Sequence, residues 1–390
     1  MLTDRGDSPS PNRYLAYVTS SSIVHLSGRS SPEGARPGHN PSVEDASGHQ
    51  CLKKHKVGTQ AFSKTPMNPR LAIVILSFRT ADLTIDCLRS LEGQVEVGPD
   101  LVVLVDNGSG DGSVERIARE VAERGWREWV RILASEVNVG FPAGCNIGIR
   151  EVQADGYLLL NNDTIVLPGA IQSLKRALEE HAEAGIISPR LQWPDGEPQL
   201  NCRRYISPVT EFLHAAATGP VTKLLKRHDL VVPIANGPTE TEWLCFAAAV
   251  IRREVFEKIG LLDEGYFNYF DDVDFCRRTW AAGWTVLSWP DAKVIHLVGR
   301  SQSVESDKAS RKRRPAYYYA SRARYFAKFY GRAGLWGTNL LWMLGRGISL
   351  AREAVGSKQP HTCEKEWLDI WKNWWDPMKP ATRAQVRAAE

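Results

Sequence analysis

The sequence LAIVILSFR, residues 71–79, joins a continuous apolar run rich in β-branched residues to a polar end. Such a run is typical of a strand that is buried on both faces of a parallel sheet. Apolar residues then recur at helical spacing from Leu83 to Leu91, and a second apolar run, LVVLV, begins at Leu101. Residues 71–105 are therefore predicted to form a strand, a helix and a second, parallel strand.

The same alternation continues along the chain. Apolar residues at helical spacing between Val114 and Val121 precede a strand near 130–133, and a helix that opens near Pro142 precedes the run YLLL at 157–160. Four strands that alternate with three helices predict an α/β fold. Its doubly wound, mainly parallel sheet would carry helices on both faces.

The later part of the sequence is less regular. Its patterns predict helices at 168–181 and 253–259 and short strands at 244–251, 285–288 and 293–296. Residues 190–240 mix Pro, Gly and polar residues with short apolar pieces. Long irregular segments in α/β enzymes often form acceptor sites or lids.

The two ends of the chain differ from the middle. Residues 1–66 are dense in Ser, Pro, Gly, Asn and His, which predicts a disordered N-terminal tail before the domain at 67–300. Residues 301–390 are predicted to form a C-terminal extension with a basic loop and an aromatic-rich helical part. Five of the seven residues 308–314 are basic and would face anionic lipid, a diphosphate or water. Packing of the tryptophans on the main domain is favoured over contact with a membrane surface.

Composition excludes several classes of protein. A net charge of +4 over 390 residues does not by itself indicate a nucleic-acid partner. Seven cysteines without a CxxC pair favour a reduced, cytoplasmic compartment, and the N-terminus has no apolar core of signal-peptide length. The most apolar stretch, 335–350, contains Asn339 and Arg346 and is shorter than the roughly 20 apolar residues that a membrane-spanning helix needs.

Polar residues follow each predicted strand, where ligands of doubly wound sheets bind. They include Asp106 with the glycine-rich residues 107–113, the run NVGFPAGCN at 138–146, and Asn161, Asn162 and Asp163. The alternative for residues 106–113 is an ordinary turn with a helix cap at Asp111 or Ser113. The glycine spacing does not match GxGxxG, which disfavours an oxidoreductase.

Two groups of carboxylates indicate chemistry. Asp163, with amide oxygens beside it at a sheet edge, suits a hard divalent ion such as Mg²⁺ or Mn²⁺. Three carboxylates stand among aromatic residues in YFNYFDDVDF, 266–275, and such neighbours raise one another's pKa, as a general base requires. A solvated helix start with an ion pair between Asp274 and Arg278 is the alternative. A single histidine at the end of a strand is usually a core residue. His296 is a candidate metal ligand only because these acidic motifs accompany it.

Taken in order, these motifs resemble family 2 glycosyltransferases of the GT-A fold, and within them the rhamnosyltransferase-like bacterial branch. The resemblance rests on SFR at 77, VDNGSGDGS at 105, NVGFPAGCNIGI at 138, LLLNNDT at 158, IGLLDEGYFNYFDDVDFCRR at 259 and VIH at 294. It covers roughly residues 70–300 and continues weakly through Tyr317. It implies metal-dependent, inverting transfer of a hexosyl or rhamnosyl group from a nucleoside diphosphate sugar to an acceptor hydroxyl. The acceptor would be a growing glycan or lipid-linked saccharide, as in the synthesis of cell-envelope polysaccharides.

The resemblance also implies roles for individual residues. Asp272 would remove the proton from the acceptor hydroxyl, and Asp271 would bind acceptor or tune its neighbour. The nucleotide would be held by Ser77, Phe78, Asp106, Asn138, Gly140, Asn146 and Asn162. The metal, Mn²⁺ or Mg²⁺, would be held by Asp163, His296 and Asn161.

Two positions depart from the family pattern. Asn161 stands where many members carry Asp, so ion binding would depend partly on phosphate and water. Phe246 stands where relatives usually carry Gly, so a large ring beside the expected sugar pocket would change the donor or block it.

Two rival functions remain. One is a nucleotidyltransferase acting on a sugar phosphate, although no glycine-rich, Arg-containing loop after the first strand could cradle a triphosphate. The other is a catalytically silent nucleotide- or carbohydrate-binding domain, which would not need a base. A lipid-linked saccharide is the preferred acceptor, with a peripheral contact at the inner face of the membrane as a further hypothesis.

Overall fold

The computed structural model describes residues 71–219, 225, 230, 232–233, 235–298, 311–356 and 359–380. The tail predicted to be disordered, 1–66, and the first part of the predicted basic loop lie outside these ranges.

The elements of the described chain alternate as the sequence patterns predict. The strands are β1 (Leu71–Ser77), β2 (Asp100–Asp106), β3 (Val130–Ala134), β4 (Gly156–Asn161), β5 (Thr164–Val166), β6 (Ala184–Gln192), β7 (Thr239–Glu240), β8 (Ala248–Arg252) and β9 (Thr285–His296). The helices are α1 (Ala81–Leu91), α2 (Ser113–Glu123), α3 (Phe141–Glu151), α4 (Ala170–Glu180), α5 (Pro208–Ala216), α6 (Arg253–Ile259), α7 (Asp271–Ala281), α8 (Ala316–Ala354) and α9 (Glu366–Asp369).

The first four strands form the parallel half of one sheet. β1 pairs in parallel with β2 on one side and β4 on the other, and β3 pairs with β2. Successive side chains of a strand point to opposite faces. Ile73 and Ile75 accordingly pack with α1, α2 and α4, whereas Ala72 and Val74 pack with α3 and with residues of α7 and α8. Both faces are covered, which explains why β1 is apolar at nearly every position.

The second half of the sheet is mixed. The strand order is β3-β2-β1-β4-β8-β6-β9-β5, with β7 paired to β9. β8 is antiparallel to β4 and β6, while β6 and β9 are parallel. The α/β fold of GT-A type, with a mainly parallel sheet, helices on both faces and a helical C-terminal part, is therefore confirmed.

Several predicted boundaries differ from the structure. The two short strands predicted at 285–288 and 293–296 are one strand, β9, because the extra residues around Pro290 bulge out and pairing with β6 resumes at Lys293. The strand predicted to start at 244 starts at Ala248. The segment 190–240, predicted to be irregular, contains α5, which has a Ser207 capping box and Pro208 in its first turn.

Helix α8 consists of two parts that meet at Gly331, whose φ of 71° lies outside the helical region. The first part packs into the same core as α7, through Tyr325 and Phe326. The second part lies close to α5, since a Cβ on Gly345 would be 2.6 Å from the carbonyl oxygen of Phe212. None of the helices in the described ranges carries an apolar stretch long enough to traverse a bilayer.

Arg313 and Arg314, at the end of the basic run, bind the C-terminal helix α9. Arg313 makes two 2.8 Å hydrogen bonds to the carboxylate of Asp369, and buried Arg314 donates to Glu366 at 3.0 Å. Trp342 is buried with Ala215. The tryptophan-rich segment therefore packs partly on the main domain, as the sequence favours.

Candidate active site

The carboxyl end of β2 holds Asp106, one of the residues predicted to bind nucleotide. Its buried side chain accepts hydrogen bonds from the backbone N–H of Ser109, at 3.0 Å, and from the Ser109 hydroxyl. The Ser109 hydroxyl oxygen accepts a 2.8 Å hydrogen bond from the backbone N–H of Arg79, after β1. Asp111 accepts from the N–H of Ser113 at 3.0 Å, so the turn alternative also describes part of this loop.

Amide hydrogen bonds join the loops after β2 and β3. Nδ2 of Asn107 donates to Oδ1 of Asn138 at 2.9 Å, and Oδ1 of Asn107 accepts from the N–H of Val139 at 3.0 Å. Oδ1 of Asn138 also accepts from the N–H of Gly140 at 3.0 Å. Asn138 and Gly140 therefore lie at the same edge of the sheet as Asp106.

Gly140 brings this edge against the segment that carries the acidic cluster. Its φ is 88°, and a Cβ at this position would lie 2.4 Å from the carbonyl oxygen of Phe267. That oxygen accepts a 2.8 Å hydrogen bond from the N–H of Phe141, the first residue of α3. Only glycine permits so close an approach. The predicted nucleotide loops and residues 266–275 thus meet at one edge.

Asp163 and His296, the two main predicted metal ligands, are neighbours. Asp163 follows β4 and His296 ends β9, whose pairing with β5 sets Thr164 opposite His296. Oδ1 of Asp163 lies 3.5 Å from Nε2 of His296, and Asp163 is only 1% exposed. Within the ranges that the structure describes, no three His, Cys, Asp or Glu side chains converge as a metal cage.

The segment before β8 links these two residues to the acid pair. The N–H of Asn161 donates to the carbonyl oxygen of Ala247 at 2.9 Å. Two residues earlier, Cys245 lies close enough to Asp272 for the carboxylate charge, after burial, to raise the pKa of the thiol to about 12. Residues 245–247 therefore contact the end of β4, two residues before Asp163, and lie near Asp272.

Asp271 and Asp272 begin α7 after a turn with unusual backbone angles. Tyr269 and Phe270 both have φ of 66°, a left-handed conformation that is strained for large side chains. Aromatic contacts from α8 hold this turn, because the rings of both residues pack against Tyr318 with centroids 5.5 and 5.6 Å apart. These contacts hold the turn from which α7, with its two carboxylates, begins.

The surroundings raise the pKa of both carboxylic acids. Burial, followed by the charge of Asp272, raises the pKa of Asp271 well above its usual value. Burial also raises the pKa of Asp272, to about 6, against the lowering effects of the Val273 N–H and the Arg203 cation. With that pKa, the partly exposed Asp272 is a carboxylate at neutral pH, whereas the surroundings of Asp271 favour its neutral form.

Asp274 has a structural role. It is fully buried and binds the Tyr266 hydroxyl at 3.1 Å, Nε of Arg278 at 2.8 Å and Nζ of Lys328 at 2.6 Å. The ion pair with Arg278 is the one that the alternative interpretation of the cluster predicted. All three acids also stand in the first turn of α7, as the alternative predicted, but Asp271 and Asp274 are buried rather than solvated.

Three residues predicted to bind nucleotide are occupied by the protein itself. Buried Asn146 uses both ends of its side-chain amide on Leu262 and Glu264, so it joins α3 to the segment before α7 rather than facing a ligand. The amide of Asn162 donates to Thr84 at 2.9 Å, and the hydroxyl of Ser77 bonds Thr84 at 2.9 Å. Ser77 and Asn162 therefore hold α1 against the sheet edge.

Two further predicted residues are partly exposed. Phe78 lies under the Arg79 guanidinium, 4.9 Å from the ring centroid. Asn161 lies at the end of β4, beside Asp163.

Phe246, expected beside the sugar pocket, is a core residue. It is 2% exposed and packs edge-on against Phe275 of α7, with ring centroids 6.0 Å apart. The ring therefore supports the helix that carries the acids.

Sequence reasoning missed two cations at this edge, Arg79 and Arg203. Arg79 has φ of 55° and also donates from Nε to the carbonyl oxygen of Ser109 at 3.1 Å. Arg203 lies 5.6 Å from the centroid of the Trp243 ring and acts electrostatically on Asp272. Arg79 stands in the SFR motif, but Arg203 lies in the segment predicted to be irregular and carried no pattern that could have marked it.

Comparison with known proteins was consistent with this geometry. Residues 72–260 match the model for glycosyl transferase family 2. Over 272 residues the chain is 27% identical to N-acetylglucosaminyl-diphospho-decaprenol L-rhamnosyltransferase of Mycobacterium tuberculosis, covering 65% of this chain and 82% of that protein. It is 25% identical over 214 residues to the low-salt glycan biosynthesis hexosyltransferase Agl10 of Haloferax volcanii, covering 53% and 61%. A solved structure of the mannosyltransferase PcManGT from Pyrobaculum calidifontis, in complex with GDP-Man and Mn²⁺, has 16% identity and a TM-score of 0.47, covering 75% of this chain and 77% of that one.

Proposed function

Because this chain is a family 2 glycosyltransferase that uses a nucleotide-sugar donor, we propose that it transfers a hexosyl or rhamnosyl group to a lipid-linked saccharide by direct displacement. The observation that carries the proposal is the acid pair at the start of α7. Asp271, whose pKa burial raises well above its usual value, stands beside Asp272, whose pKa burial raises to about 6. Both lie at the sheet edge that also holds Asp106 and Asp163.

Asp272 would act as the general base. As the acceptor oxygen bonds to the anomeric carbon, its proton passes to the Asp272 carboxylate and the bond from that carbon to the diphosphate oxygen breaks. Attack opposite the leaving group inverts the anomeric configuration. A base works best when its pKa lies near the working pH, and burial brings the pKa of Asp272 from its usual range to about 6.

The pair Asp163 and His296 would hold a divalent cation. Carboxylate oxygen and imidazole nitrogen are suitable ligands for Mn²⁺. Two ligands that each lie about 2.1 Å from one ion are about 3 Å apart at a right angle, close to the 3.5 Å between Oδ1 and Nε2 here. Asn161 would be a third protein ligand, and phosphate oxygens and water would supply the remaining positions. When bound, such an ion stabilises negative charge on the leaving diphosphate.

The remaining predicted nucleotide contacts are Asp106, Phe78, Asn138 and Gly140. Asp106 is already oriented by Ser109, which would hold its carboxylate ready for a ribose or base. Gly140 would act indirectly, because the absence of a Cβ lets the Phe267 backbone approach and brings the acid pair to this edge. Ser77, Asn146 and Asn162 would act by holding the loops in place.

A lipid-linked acceptor is supported by one relative. The Mycobacterium tuberculosis protein is named for an acceptor sugar carried on a diphospho-decaprenol. An acceptor of this class would bring the present enzyme to the inner face of a membrane as a peripheral protein. Synthesis of a cell-envelope polysaccharide is the process that this reaction would serve.

The proposal is tested by measuring transfer with purified full-length protein. A panel of nucleoside diphosphate sugars is incubated with a lipid-linked N-acetylglucosamine, with Mn²⁺, Mg²⁺ or chelator. Asp272→Asn removes the base, and kcat is expected to fall by roughly 10²–10⁴-fold because that is the usual contribution of a positioned base.

Asp82→Asn is the matched control, since Asp82 is an exposed acid paired with Arg116 far from this cluster in sequence. Its kcat is expected to remain that of the unmodified enzyme. The proposal is wrong if Asp272→Asn transfers sugar at the normal rate, or if the protein instead releases pyrophosphate from a nucleoside triphosphate.

A further inference from the structure

The second part of α8 exposes an apolar surface. Every exposed residue between Ala333 and Gly356 is apolar or glycine. We call this surface the apolar face; its large residues are Trp336, Leu340, Met343, Leu344 and Leu350. At about 1.5 Å per residue these five extend over roughly 20 Å of helix.

The polar residues of the same helix point inward. Arg346 donates to the carboxylate of Glu353, and Ser349 donates to Glu353 at 2.9 Å. Asn339 is fully buried and accepts a 2.7 Å hydrogen bond from Arg322. Since the inner face carries these polar groups and their partners, a simple rotation of the helix could not bury the apolar face. The outward apolar residues require a partner outside the described chain.

Tryptophans from the segment after α9 lie next to the apolar face and enlarge it. The ring of Trp336 packs against Trp371 and Trp374, at 5.2 and 5.0 Å between centroids. Next to them, Trp375 is 71% exposed. Tryptophan at the border of an apolar surface is typical of proteins that sit at the membrane–water interface.

The exposed charges of the described C-terminal part are mostly positive. Among the described residues from 311 to 380, the exposed cations are Arg311, Lys312, Arg313, Arg332, Lys365 and Lys379, against the exposed acids Glu364 and Asp376. Arg332 is in direct contact with the surface, because its guanidinium lies 5.7 Å from the ring centroid of Trp375. Such an excess of cations complements anionic lipid headgroups.

We propose that the apolar face of α8, with Trp375 and the neighbouring Arg332, lies in the interface of an anionic lipid bilayer. The helix would lie parallel to the membrane plane, since no helix of the described chain is suited to cross it. The site assignment stands on the surface itself. Its link to catalysis, which brings the acceptor's sugar to Asp272, rests on the proposed function.

The test is flotation of the full-length protein with vesicles of equal parts phosphatidylglycerol and phosphatidylcholine at low salt. Leu344→Glu puts a charge in the centre of the apolar face, where the leucine is 58% exposed. Partition onto these vesicles is expected to fall about tenfold or more. The leucine that the bilayer would bury is replaced by a carboxylate, which the anionic lipid also repels.

Val97→Glu is the matched control. Val97 is 54% exposed and precedes β2, on a different part of the protein, so its partition is expected to equal that of the unmodified chain. Thermal melting of both variants checks that the fold is retained, as expected for exposed positions. Pure phosphatidylcholine vesicles are expected to bind more weakly, because they lack the anionic charge.

The proposal is overturned if the unmodified protein does not float with anionic vesicles, or if Leu344→Glu floats equally well. It is also overturned if sedimentation without lipid shows a dimer that Leu344→Glu dissociates, since the face would then join two copies. Transfer to a water-soluble acceptor separates the two proposals. Vesicle binding without any transfer would reject the proposed function alone, and transfer without vesicle binding would reject this surface alone.

Discussion

Asp271 and Asp272 are adjacent carboxylic acids whose surroundings act differently on their pKa values. Burial raises the pKa of both, but only Asp272 has the Val273 N–H and the Arg203 cation to favour its charged form. Two titratable groups with separated pKa values allow one to act as a base while the other donates a hydrogen bond. The pair is therefore suited to proton removal from a hydroxyl near neutral pH.

This difference predicts the acidic limb of the pH profile. Because a base acts only when deprotonated, kcat/KM is expected to fall as the pH drops through about 6, the pKa of Asp272. Arg203→Met removes a cation that favours the carboxylate, so the limb is expected to move to higher pH. Initial rates across a pH series, at subsaturating donor and acceptor, measure the acidic limb of the unmodified enzyme and of Arg203→Met.

Arg190→Met is the control for that shift. Arg190 comes from the same part of the chain, but it donates to the carbonyl oxygen of Ala235 and does not act on Asp272. Its pH profile should overlay that of the unmodified enzyme. An unchanged limb in Arg203→Met would show that Arg203 does not act on the base.

Helices α7 and α8 form one supporting unit for the acids. Lys328 of α8 bonds Asp274 of α7 at 2.6 Å and Asp263 at 2.8 Å. The guanidinium of Arg277 lies 4.5 and 4.8 Å from the ring centroids of Phe329 and Tyr330. These contacts explain how a helix far along the chain fixes the start of α7.

Removal of the lysine tests this support. Lys328→Met leaves buried Asp274 with one cation fewer, which is expected to lower the free energy of unfolding by about 3 kcal/mol. Arg116→Met breaks the exposed ion pair with Asp82 and should change the free energy of unfolding by less than about 1 kcal/mol. Urea unfolding followed by circular dichroism measures both. Equal stability of the two variants would contradict the role given to Lys328.

On the scale of the whole molecule, the catalytic domain does not end where the family match ends. The match stops at residue 260, before Asp271, Asp272 and His296. The core on the α3 side of the sheet is completed by Tyr325 and Phe326, both fully buried. The C-terminal extension is therefore part of the folded domain.

A shortened chain tests this conclusion. Residues 67–300 contain every predicted site residue but lack α8, so a large part of one core would be exposed to water. The fragment is expected to lose its cooperative thermal transition and its near-ultraviolet circular dichroism, whereas residues 67–390 should keep both. A cooperative melt of the shorter fragment would show that α8 is dispensable.

The sequence alone determined the elements that depend on local patterns. Apolar runs such as 71–76 predicted the parallel strands, because a strand covered on both faces must be apolar at nearly every position. The ordered motifs predicted the family and identified Asp163, His296 and the acid pair as candidate site residues. Gly260, just after the last periodic residue, marked the end of α6.

Only the tertiary structure decided which partners these polar side chains have. Asn146, Ser77 and Asn162 were predicted to bind nucleotide, but their buried side chains bond Glu264 and Thr84 inside the protein. Arg203 gained importance only because the fold brings it close to Asp272 from far along the chain. The physical reason is that a hydrogen-bond partner or a neighbouring charge is set by distance in space, whereas sequence periodicity reports only burial and local backbone geometry.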